Sequence, residues 1–448
     1  MIHRRTFRAT LRAVRILLLL GLISLASTAM VTRAAAPTIF ILEVKGIINP
    51  VSADYVNRGI QEAEDAGAVA CIIQMDTPGG LDTAMRDIVQ DIVNARIPVV
   101  VYVSPSGARA ASAGAFITVA AHVAVMAPNT AIGAASPVSI GAEGEEQMSE
   151  TMQDKVLNDA AAYIRSIAEA HGRNMDWAER AVREAVSATE QEALELNVID
   201  LVAPDLASLI LQLDGWETTL LGGTVVTIET AGAVLQHMEM SWVEEFLFAI
   251  TDPNIAYVLL GLASLGLFVE ISNPGLIFPG VVGGICAILA FYSLGNLPVN
   301  IAGILLVVGA LGLFIAEVFT SSFGLLTGGG VIALVLGSLI LFKGGPLFQV
   351  NPWLIGIVAT CIGALAAFVV TRVLSVHKRQ PSSGWEELVG KTAVVKVALA
   401  PEGTVLYKGE RWTAVSEEGR VKPGENVVIN RVDSLKLYVT KLPKETGE

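Results

Sequence analysis

The chain reads Ile97-Pro-Val-Val-Val-Tyr-Val103 and shortly afterwards Gly107-Ala-Arg-Ala-Ala-Ser-Ala-Gly-Ala115. The first stretch is a continuous apolar run, which predicts a buried strand of a parallel sheet. In the second stretch small residues surround Ser112, and the segment from Ala110 to Val119 predicts the start of a helix. A serine hydroxyl at such a strand-to-helix turn is open to a peptide carbonyl. The pattern therefore predicts an α/β domain with Ser112 as a candidate nucleophile.

A second apolar run, Val69-Ala-Cys-Ile-Ile-Gln-Met75, is followed directly by Asp76-Thr-Pro-Gly-Gly80. This order places Gly79 and Gly80 at the carboxyl end of a predicted parallel strand. Glycines leave the backbone amides unshielded, as the donors of an oxyanion hole must be. Gly79 and Gly80 are therefore the candidate oxyanion residues.

A serine nucleophile needs a base, and between Pro37 and Glu245 the chain contains only two lysines, Lys45 and Lys155. Lys45 ends the first predicted strand, just before a glycine turn. Lys155 follows Ser112 by 43 residues and lies early in an amphipathic helix predicted from about residue 150 to residue 171. A lysine acts as a base only where desolvation or a nearby positive charge lowers its pKa. The alternative is an ordinary solvated lysine on a helix surface.

A Ser-His-Asp arrangement is the competing possibility, because His122, His171 and His237 lie in the same region. His122 falls within an apolar run and is expected in the core. His171 stands at the carboxyl end of the predicted helix, and His237 is close to the membrane-proximal segment. No histidine has a position that favours it over Lys155.

The glycine loop, the serine turn and the later segment Ala188-Thr-Glu-Gln-Glu-Ala-Leu-Glu-Leu-Asn-Val-Ile-Asp200 resemble the ClpP/crotonase superfamily. Over nearly its whole length the chain resembles the long form of the NfeD family, which comprises membrane-bound ClpP-class serine proteases with a C-terminal OB-like domain. The resemblance implies that Ser112 is the nucleophile, Lys155 the general base, and Gly79 and Gly80 the oxyanion donors. After Met126-Ala-Pro-Asn-Thr-Ala-Ile-Gly-Ala-Ala-Ser-Pro137 there is no histidine where ClpP carries its base. That difference favours a Ser-Lys dyad, as in signal peptide peptidases of the SppA type.

The composition indicates an integral membrane protein, with a mean hydropathy of +0.59 and a net charge of −13. Five arginines precede an apolar run at residues 16–23, which predicts a signal peptide over residues 1–36 or, alternatively, an uncleaved N-terminal anchor. Residues 37–245 are then an exported domain. That domain carries 30 acidic and 10 basic side chains, so nucleic-acid binding is not expected. Its single cysteine excludes an internal disulfide.

Five apolar stretches predict a multi-pass transmembrane domain within residues 246–376, at about residues 255–270, 276–294, 299–318, 323–342 and 353–374. Basic residues follow the last span directly, so the positive-inside rule places the C-terminus in the cytoplasm. Five crossings from an exported domain give the same orientation. Glu270 and Glu317 lie at the ends of spans, where solvation at the interface is expected, and no role is assigned to them.

Residues 377–384 are predicted to be a linker, and residues 385–445 a small all-β domain. Short alternating stretches separated by glycines indicate a five-stranded barrel of the OB type. The segment has few aromatic residues and no marked excess of positive charge. The family resemblance implies that it is a protein-interaction module rather than a nucleic-acid binder.

The resemblance implies a membrane-anchored serine endopeptidase of the cell membrane that hydrolyses apolar segments of membrane-associated proteins and works with stomatin-like (SPFH) partners. The alternative is a catalytically silent scaffold that acts on such a partner through the OB-like domain. A crotonase-type acyl-CoA activity is disfavoured because an exported domain would not meet CoA thioesters. We also expect a homo-oligomer in contact with membrane lipids, and no metal or cofactor. The glycine- and glutamate-rich residues 139–153 are either a lid or a solvated loop.

Overall fold

The computed structural model describes residues 36–137, 150–273, 275–320, 322, 324–343, 348–377 and 388–442. The predicted signal segment lies outside these residues, apart from Ala36, and so do most of the predicted lid and linker. Two compact units are formed. One contains the described residues up to Glu270 together with 275–308 and 333–358, and the other contains 309–332 and the chain from Ala359 onward.

The first unit begins with an α/β domain. Its strands are β1 (Thr38–Lys45), β2 (Ala70–Asp76), β3 (Val99–Val103), β4 (Arg109–Ala111), β5 (Val123–Met126), β6 (Ala131–Gly133), β7 (Ser187–Thr189), β8 (Leu201–Val202), β9 (Trp216–Thr219), β10 (Val225–Ile228) and β11 (Val234–Met238). Its helices are α1 (Pro50–Asp65), α2 (Asp82–Asn94), α3 (Ala113–Ala120), α4 (Glu150–Ala170), α5 (Met175–Arg183), α6 (Glu190–Glu195), α7 (Leu206–Leu213) and α8 (Trp242–Ile250).

Six of the strands form a parallel sheet in the order β11-β1-β2-β3-β5-β8. The central strands are apolar on both faces, because both faces of this sheet are covered. On one face Leu42 and Ile73 pack with the helices that carry the candidate site. On the other face Ile41 and Ile72 pack against α7 and the β9–β10 hairpin. The predicted α/β domain with buried parallel strands is confirmed.

A second sheet, in the order β4-β6-β7, lies beside the candidate nucleophile. The predicted helix start at Ala110 is wrong, because Ala110 and Ala111 belong to β4. Backbone hydrogen bonds hold them there: the Thr77 amide donates to the Arg109 carbonyl and the Ala111 amide donates to the Thr77 carbonyl. These bonds prevail over the helix propensity of alanine, and the helix begins only after Ser112.

Helices occupy all five predicted membrane stretches. They are α9 (Pro253–Ser272), α10 (Ile277–Gly295), α11 (Ile301–Phe319), α12 (Leu325–Leu339) and α13 (Pro352–His377). Within the described residues three of them, α9 to α11, are long and apolar enough to cross a membrane. The 15 residues of α12 rise only about 22 Å at 1.5 Å each, which is less than the ~30 Å hydrocarbon core.

The expectation that Glu317 is solvated at the membrane interface is wrong, because the residue is only 3% exposed. Its carboxylate accepts hydrogen bonds from the Gly324 amide at 2.8 Å and the Thr327 amide at 2.9 Å. The Gly324 amide directly precedes α12 and the Thr327 amide lies in its first turn, where helical N–H groups lack partners within the helix. Glu317 therefore caps the start of the neighbouring helix.

The second unit ends in a closed barrel in the order β12-β13-β14-β16-β15. Its strands are β12 (Thr392–Val397), β13 (Glu402–Tyr407), β14 (Glu410–Ser416), β15 (Asn426–Asp433) and β16 (Lys436–Lys441). Ten buried residues fill its interior, among them Val405, Ile429 and Val439. The five-stranded barrel predicted from the sequence is confirmed and is consistent with an OB-like fold.

Candidate active site

Ser112 occupies the turn between β4 and α3 with φ of 52° and ψ of −114°. A positive φ at a residue with a side chain is strained, and such strain persists only where the surroundings impose it. Here the Ser112 amide donates to the Gly133 carbonyl at 3.0 Å, and β4 fixes the residues before it. The Ser112 side chain is half-buried at the start of α3. The turn thus presents a hydroxyl on a rigid backbone.

The glycine loop, Thr77 to Gly80, lies directly against this serine. Gly79 has φ of +122°, and a Cβ placed on it would lie 2.8 Å from the Ser112 Cβ and 3.3 Å from the Ser112 Oγ. A Cβ on Gly80 would lie 2.0 Å from the Ile48 carbonyl oxygen. Neither position has room for a side chain. The structure therefore brings Ser112, Gly79 and Gly80 together, as the sequence predicts.

The amides of the two glycines differ in their partners. The Gly79 amide donates to the Thr77 hydroxyl at 3.0 Å, and that hydroxyl donates to the Gly79 carbonyl. Within the part of the chain that the structure describes, the amides of Gly80 and Ala113 have no hydrogen-bond acceptor. Sequence reasoning missed Ala113. The signal was available, since the first residue of a helix always has an N–H without an intrahelical partner.

Helices α3 and α4 run side by side in the same direction. Near their middle the rings of Phe116 and Tyr163 stack, with centroids 6.1 Å apart. At their carboxyl ends the Arg173 guanidinium, just after α4, donates to the Val119 carbonyl at 2.6 Å and the Ala121 carbonyl at 2.8 Å. Because both contacts join the helices in the same order, the beginnings of α3 and α4 also lie at one common end.

Lys155 lies at that end, on the second turn of α4. It precedes Tyr163 by eight residues, or about 12 Å of helix, while Ser112 precedes Phe116 by four, or about 6 Å. The Lys155 side chain is exposed, and it forms no ion pair or hydrogen bond with the described residues. The structure thus places Lys155 at the serine end of the helix pair and gives it no direct partner among the residues that it describes.

Arg86 connects the middle of α4 to α2. Its guanidinium contacts the Asp159 carboxylate at 2.5 Å and lies 4.4 Å from the centroid of the Tyr163 ring. Lys155, Asp159 and Tyr163 are spaced four residues apart, so they share one face of α4. Arg86 therefore holds the same helix face that carries the candidate base.

The histidines do not complete a catalytic triad. His122 follows the carboxyl end of α3, so the eight residues of that helix, about 12 Å, separate it from Ser112. His171 meets His122 edge to face at the same distant end, with ring centroids 5.9 Å apart. His237 lies on β11, at the edge of the main sheet, and is exposed.

His122 is instead part of the buried framework. Its Nδ1 accepts a hydrogen bond from the Val99 amide at 3.2 Å. Burial, together with the charge of Arg173, lowers the pKa of His122 to about 4. Burial also lowers the pKa of His171 to about 3, and Arg173 and His122 add to the effect. Both rings are therefore neutral at physiological pH.

Models of three protein families match the chain. They describe the NfeD1b N-terminal domain over residues 38–209, the NfeD integral membrane domain over residues 254–372 and the NfeD-like C-terminal, partner-binding domain over residues 386–441. The membrane-bound protease PH1510 of Pyrococcus horikoshii is 38% identical over 419 residues, which cover 92% of this chain and 95% of that protein. The chain belongs to the NfeD family. It is an integral membrane protein whose α/β domain is ClpP-like.

The membrane protein NfeD1b of Bacillus subtilis is a further relative, 28% identical over 474 residues that cover 99% of this chain and all of that protein. Among solved structures, the chain is similar to the 1510-N membrane protease specific for a stomatin homolog from Pyrococcus horikoshii. That structure is 35% identical and covers 49% of this NfeD chain and 100% of its own, with a TM-score of 0.43. A lysine-to-alanine variant of 1510-N in complex with a substrate peptide is 36% identical, covers 49% of this chain and 99% of its own, and has a TM-score of 0.45.

Proposed function

We propose that this NfeD protein is a membrane-anchored serine endopeptidase in which Ser112 is the nucleophile and Lys155 the general base. The observation that carries the proposal is the strained Ser112 turn, packed against a glycine loop and flanked by amides that have no acceptor among the described residues. A relative that matches 92% of the chain is named a membrane-bound protease, which supports the same activity here.

In the proposed reaction the neutral Lys155 amine takes the proton of the Ser112 hydroxyl as its oxygen attacks the scissile carbonyl. The oxygen of that carbonyl becomes an oxyanion, and amides of the glycine loop, Gly79 and Gly80, stabilise it. Among the described residues the Gly80 amide has no acceptor and is free to donate, whereas the Gly79 amide must first release the Thr77 hydroxyl. The Ala113 amide, which also has no acceptor among these residues, is a third candidate donor. Lys155 then gives its proton to the leaving amine. Water subsequently releases the acyl group from Ser112.

Because the Lys155 side chain is exposed, we propose that the bound substrate helps to remove it from water. A lysine accepts a proton only in its neutral form, which removal from water favours. We propose that the bound peptide covers the first turns of α4 and excludes water from Lys155. Apolar peptide segments suit this role because their side chains bring neither charge nor hydrogen-bonding groups to the amine.

We propose a stomatin-like (SPFH) membrane protein as the partner. The similar 1510-N structure is described as specific for a stomatin homolog, and the matching C-terminal family model is described as partner-binding. The closed barrel, whose strands lie between Thr392 and Lys441, is then the docking module, and the α/β domain carries the peptidase activity. We further propose a homo-oligomer that contacts membrane lipids through the spans within residues 246–376.

The proposed topology has residues 1–36 as a signal peptide, the α/β domain outside the cell membrane, and the barrel in the cytoplasm after a linker at residues 377–384. The proposal counts all five helices between the two domains as crossings, the short α12 included, and an odd number of crossings puts the two domains on opposite sides. A protease-protection experiment in sealed, right-side-out membrane vesicles tests this orientation. The barrel is expected to resist an added protease until the vesicles are opened.

The activity is tested with the purified full chain in detergent micelles and a set of synthetic apolar peptides. Wild-type protein is expected to cleave, whereas Ser112→Ala and Lys155→Ala lose the activity. Lys45→Ala is the matched control, because Lys45 is the other lysine of the α/β domain and is expected to retain cleavage. If wild-type protein cleaves none of the peptides yet still binds a stomatin-like protein, the scaffold function replaces the protease.

A further inference from the structure

A short loop connects the candidate site to the membrane helices. This junction loop, residues 46–49 between β1 and α1, is bonded to the glycine loop on one side. The Ile48 amide donates to the Gly79 carbonyl at 2.9 Å, and the Ile48 carbonyl accepts from the Leu81 amide at 2.9 Å. Ile48 is fully buried, and its carbonyl also occupies the space next to Gly80. The position of Ile48 therefore sets the position of both glycines.

The other side of the junction loop rests on the membrane helices. Ile47 and Leu81 pack against one apolar cluster of α9, α10 and the chain after α12, which includes Tyr257, Leu294 and Leu341. Tyr257 is itself tied to Ser338 of α12 by a hydrogen bond of 2.9 Å. A single layer of residues thus separates the glycine loop from the helix bundle.

A buried hydrogen bond also joins the junction loop to the segment that leads into the membrane helices. The Asn49 Nδ2 donates to the Thr251 Oγ1 at 2.8 Å, and both residues are at most 5% exposed. The Asn49 Oδ1 accepts from the Ser52 amide at the start of α1, so the side-chain amide cannot flip without losing both bonds. Thr251 lies between α8 and α9, and its hydroxyl donates to the Phe248 carbonyl at 2.7 Å.

We propose that the membrane helices position the glycine loop for catalysis, and that Thr251 and Ile47 are the positioning residues that transmit this constraint. The inference rests on the proposed protease function. The end of α8 and the start of α9 hold Asn49 through Thr251, the junction loop holds Ile48, and Ile48 orients Gly79 and Gly80 beside Ser112. The bundle is then part of the catalytic framework as well as an anchor. It also fixes the site next to the membrane surface, where apolar segments of membrane proteins emerge.

The test uses the full chain reconstituted in phosphatidylcholine vesicles with a synthetic apolar peptide, and separates kcat from KM. Thr251→Val removes the acceptor for Asn49 and is expected to lower kcat about tenfold with KM unchanged within about twofold, because displacing a catalytic group by a fraction of an ångström slows chemistry more than binding. Thr251→Ser keeps the hydroxyl and is expected to restore kcat. Thr371→Val is the matched control, since the Thr371 hydroxyl also bonds the carbonyl three residues earlier.

A second variant keeps the test decisive if Thr251→Val does not fold. Ile47→Ala weakens the apolar contact with the bundle without removing a hydrogen bond, and we expect the same fall in kcat. Ile97→Ala is its control, because Ile97 is also a partly buried isoleucine but packs on the domain core away from the bundle. Equal kcat values in each variant and its control, with active wild-type protein and inactive Ser112→Ala, would overturn the inference and leave the protease function standing. A wild-type protein without activity would overturn both.

Discussion

Gly79→Ala isolates the contact between the glycine loop and the nucleophile. Alanine at φ of +122° is strained and costs about 1–3 kcal/mol of stability. In addition, its Cβ would lie 2.8 Å from the Ser112 Cβ, a separation that real Cβ atoms do not adopt, so Ser112 or the loop must shift. A shift approaching 1 Å at a reacting group costs about 10²-fold in rate, or about 2.7 kcal/mol of transition-state stabilisation.

Gly107→Ala is the matched control for this variant. Gly107 also has a positive φ, of +90°, but a Cβ on it would meet nothing within 4 Å. Both variants are therefore expected to lose stability through backbone strain in thermal unfolding, with a larger loss for Gly79→Ala because of the added clash. Only Gly79→Ala is expected to lose about 10²-fold in kcat/KM for peptide cleavage. Equal kcat/KM values for the two variants would refute the contact between the loop and the nucleophile as a catalytic feature.

Three further outcomes follow from the structure. Arg86→Met removes the contact between α2 and the middle of α4 and is expected to lower kcat about tenfold. Arg96→Met breaks an ion pair of an exposed arginine and is expected to leave kcat unchanged, so equal kcat values for the two variants would show that Arg86 does not position α4 for catalysis. Because the fold keeps His122 neutral, with a pKa lowered to about 4, unfolded chains bind the extra proton, and about 3 kcal/mol of stability is lost as pH falls from about 6.5 toward 4. His122→Asn should flatten this dependence in thermal unfolding, and an unchanged slope would contradict it. Gly403→Ala, whose Cβ would lie 2.5 Å from a backbone carbonyl oxygen, is expected to disrupt the barrel and abolish partner binding in a pull-down while peptide cleavage persists; retained binding would exclude the barrel as the docking module.

Much of the architecture could be predicted because its signals are local. Continuous apolar runs mark strands that are buried on both faces, and glycine-separated alternation marks the barrel. The closeness of Ser112 to Gly79 and Gly80 could also be predicted, since the carboxyl ends of neighbouring parallel strands meet at one edge of a sheet.

The remaining features depend on contacts between distant parts of the chain. The strand at Ala110 depends on backbone hydrogen bonds with Thr77. The alanine-rich sequence around Ala110 gives no sign of these bonds. The carboxylate of Glu317 is buried because it accepts hydrogen bonds from unpaired amides at the start of the next helix. A hydropathy profile contains no information about such bonds. The bond from Asn49 to Thr251 joins residues 202 positions apart, so no sequence window contains both.

The Ser-Lys mechanism is best tested by the rate at which a fluorophosphonate probe labels Ser112 in the purified full chain, with the labelled peptide identified by mass spectrometry. We expect labelling at Ser112 in wild-type protein, an equal rate in Lys45→Ala, and a rate about 10²-fold or more lower in Lys155→Ala, since positioned bases contribute about 10²–10⁴-fold. Labelling of Lys155→Ala at the wild-type rate, or no labelling of Ser112 in wild-type protein, would contradict the Ser-Lys mechanism.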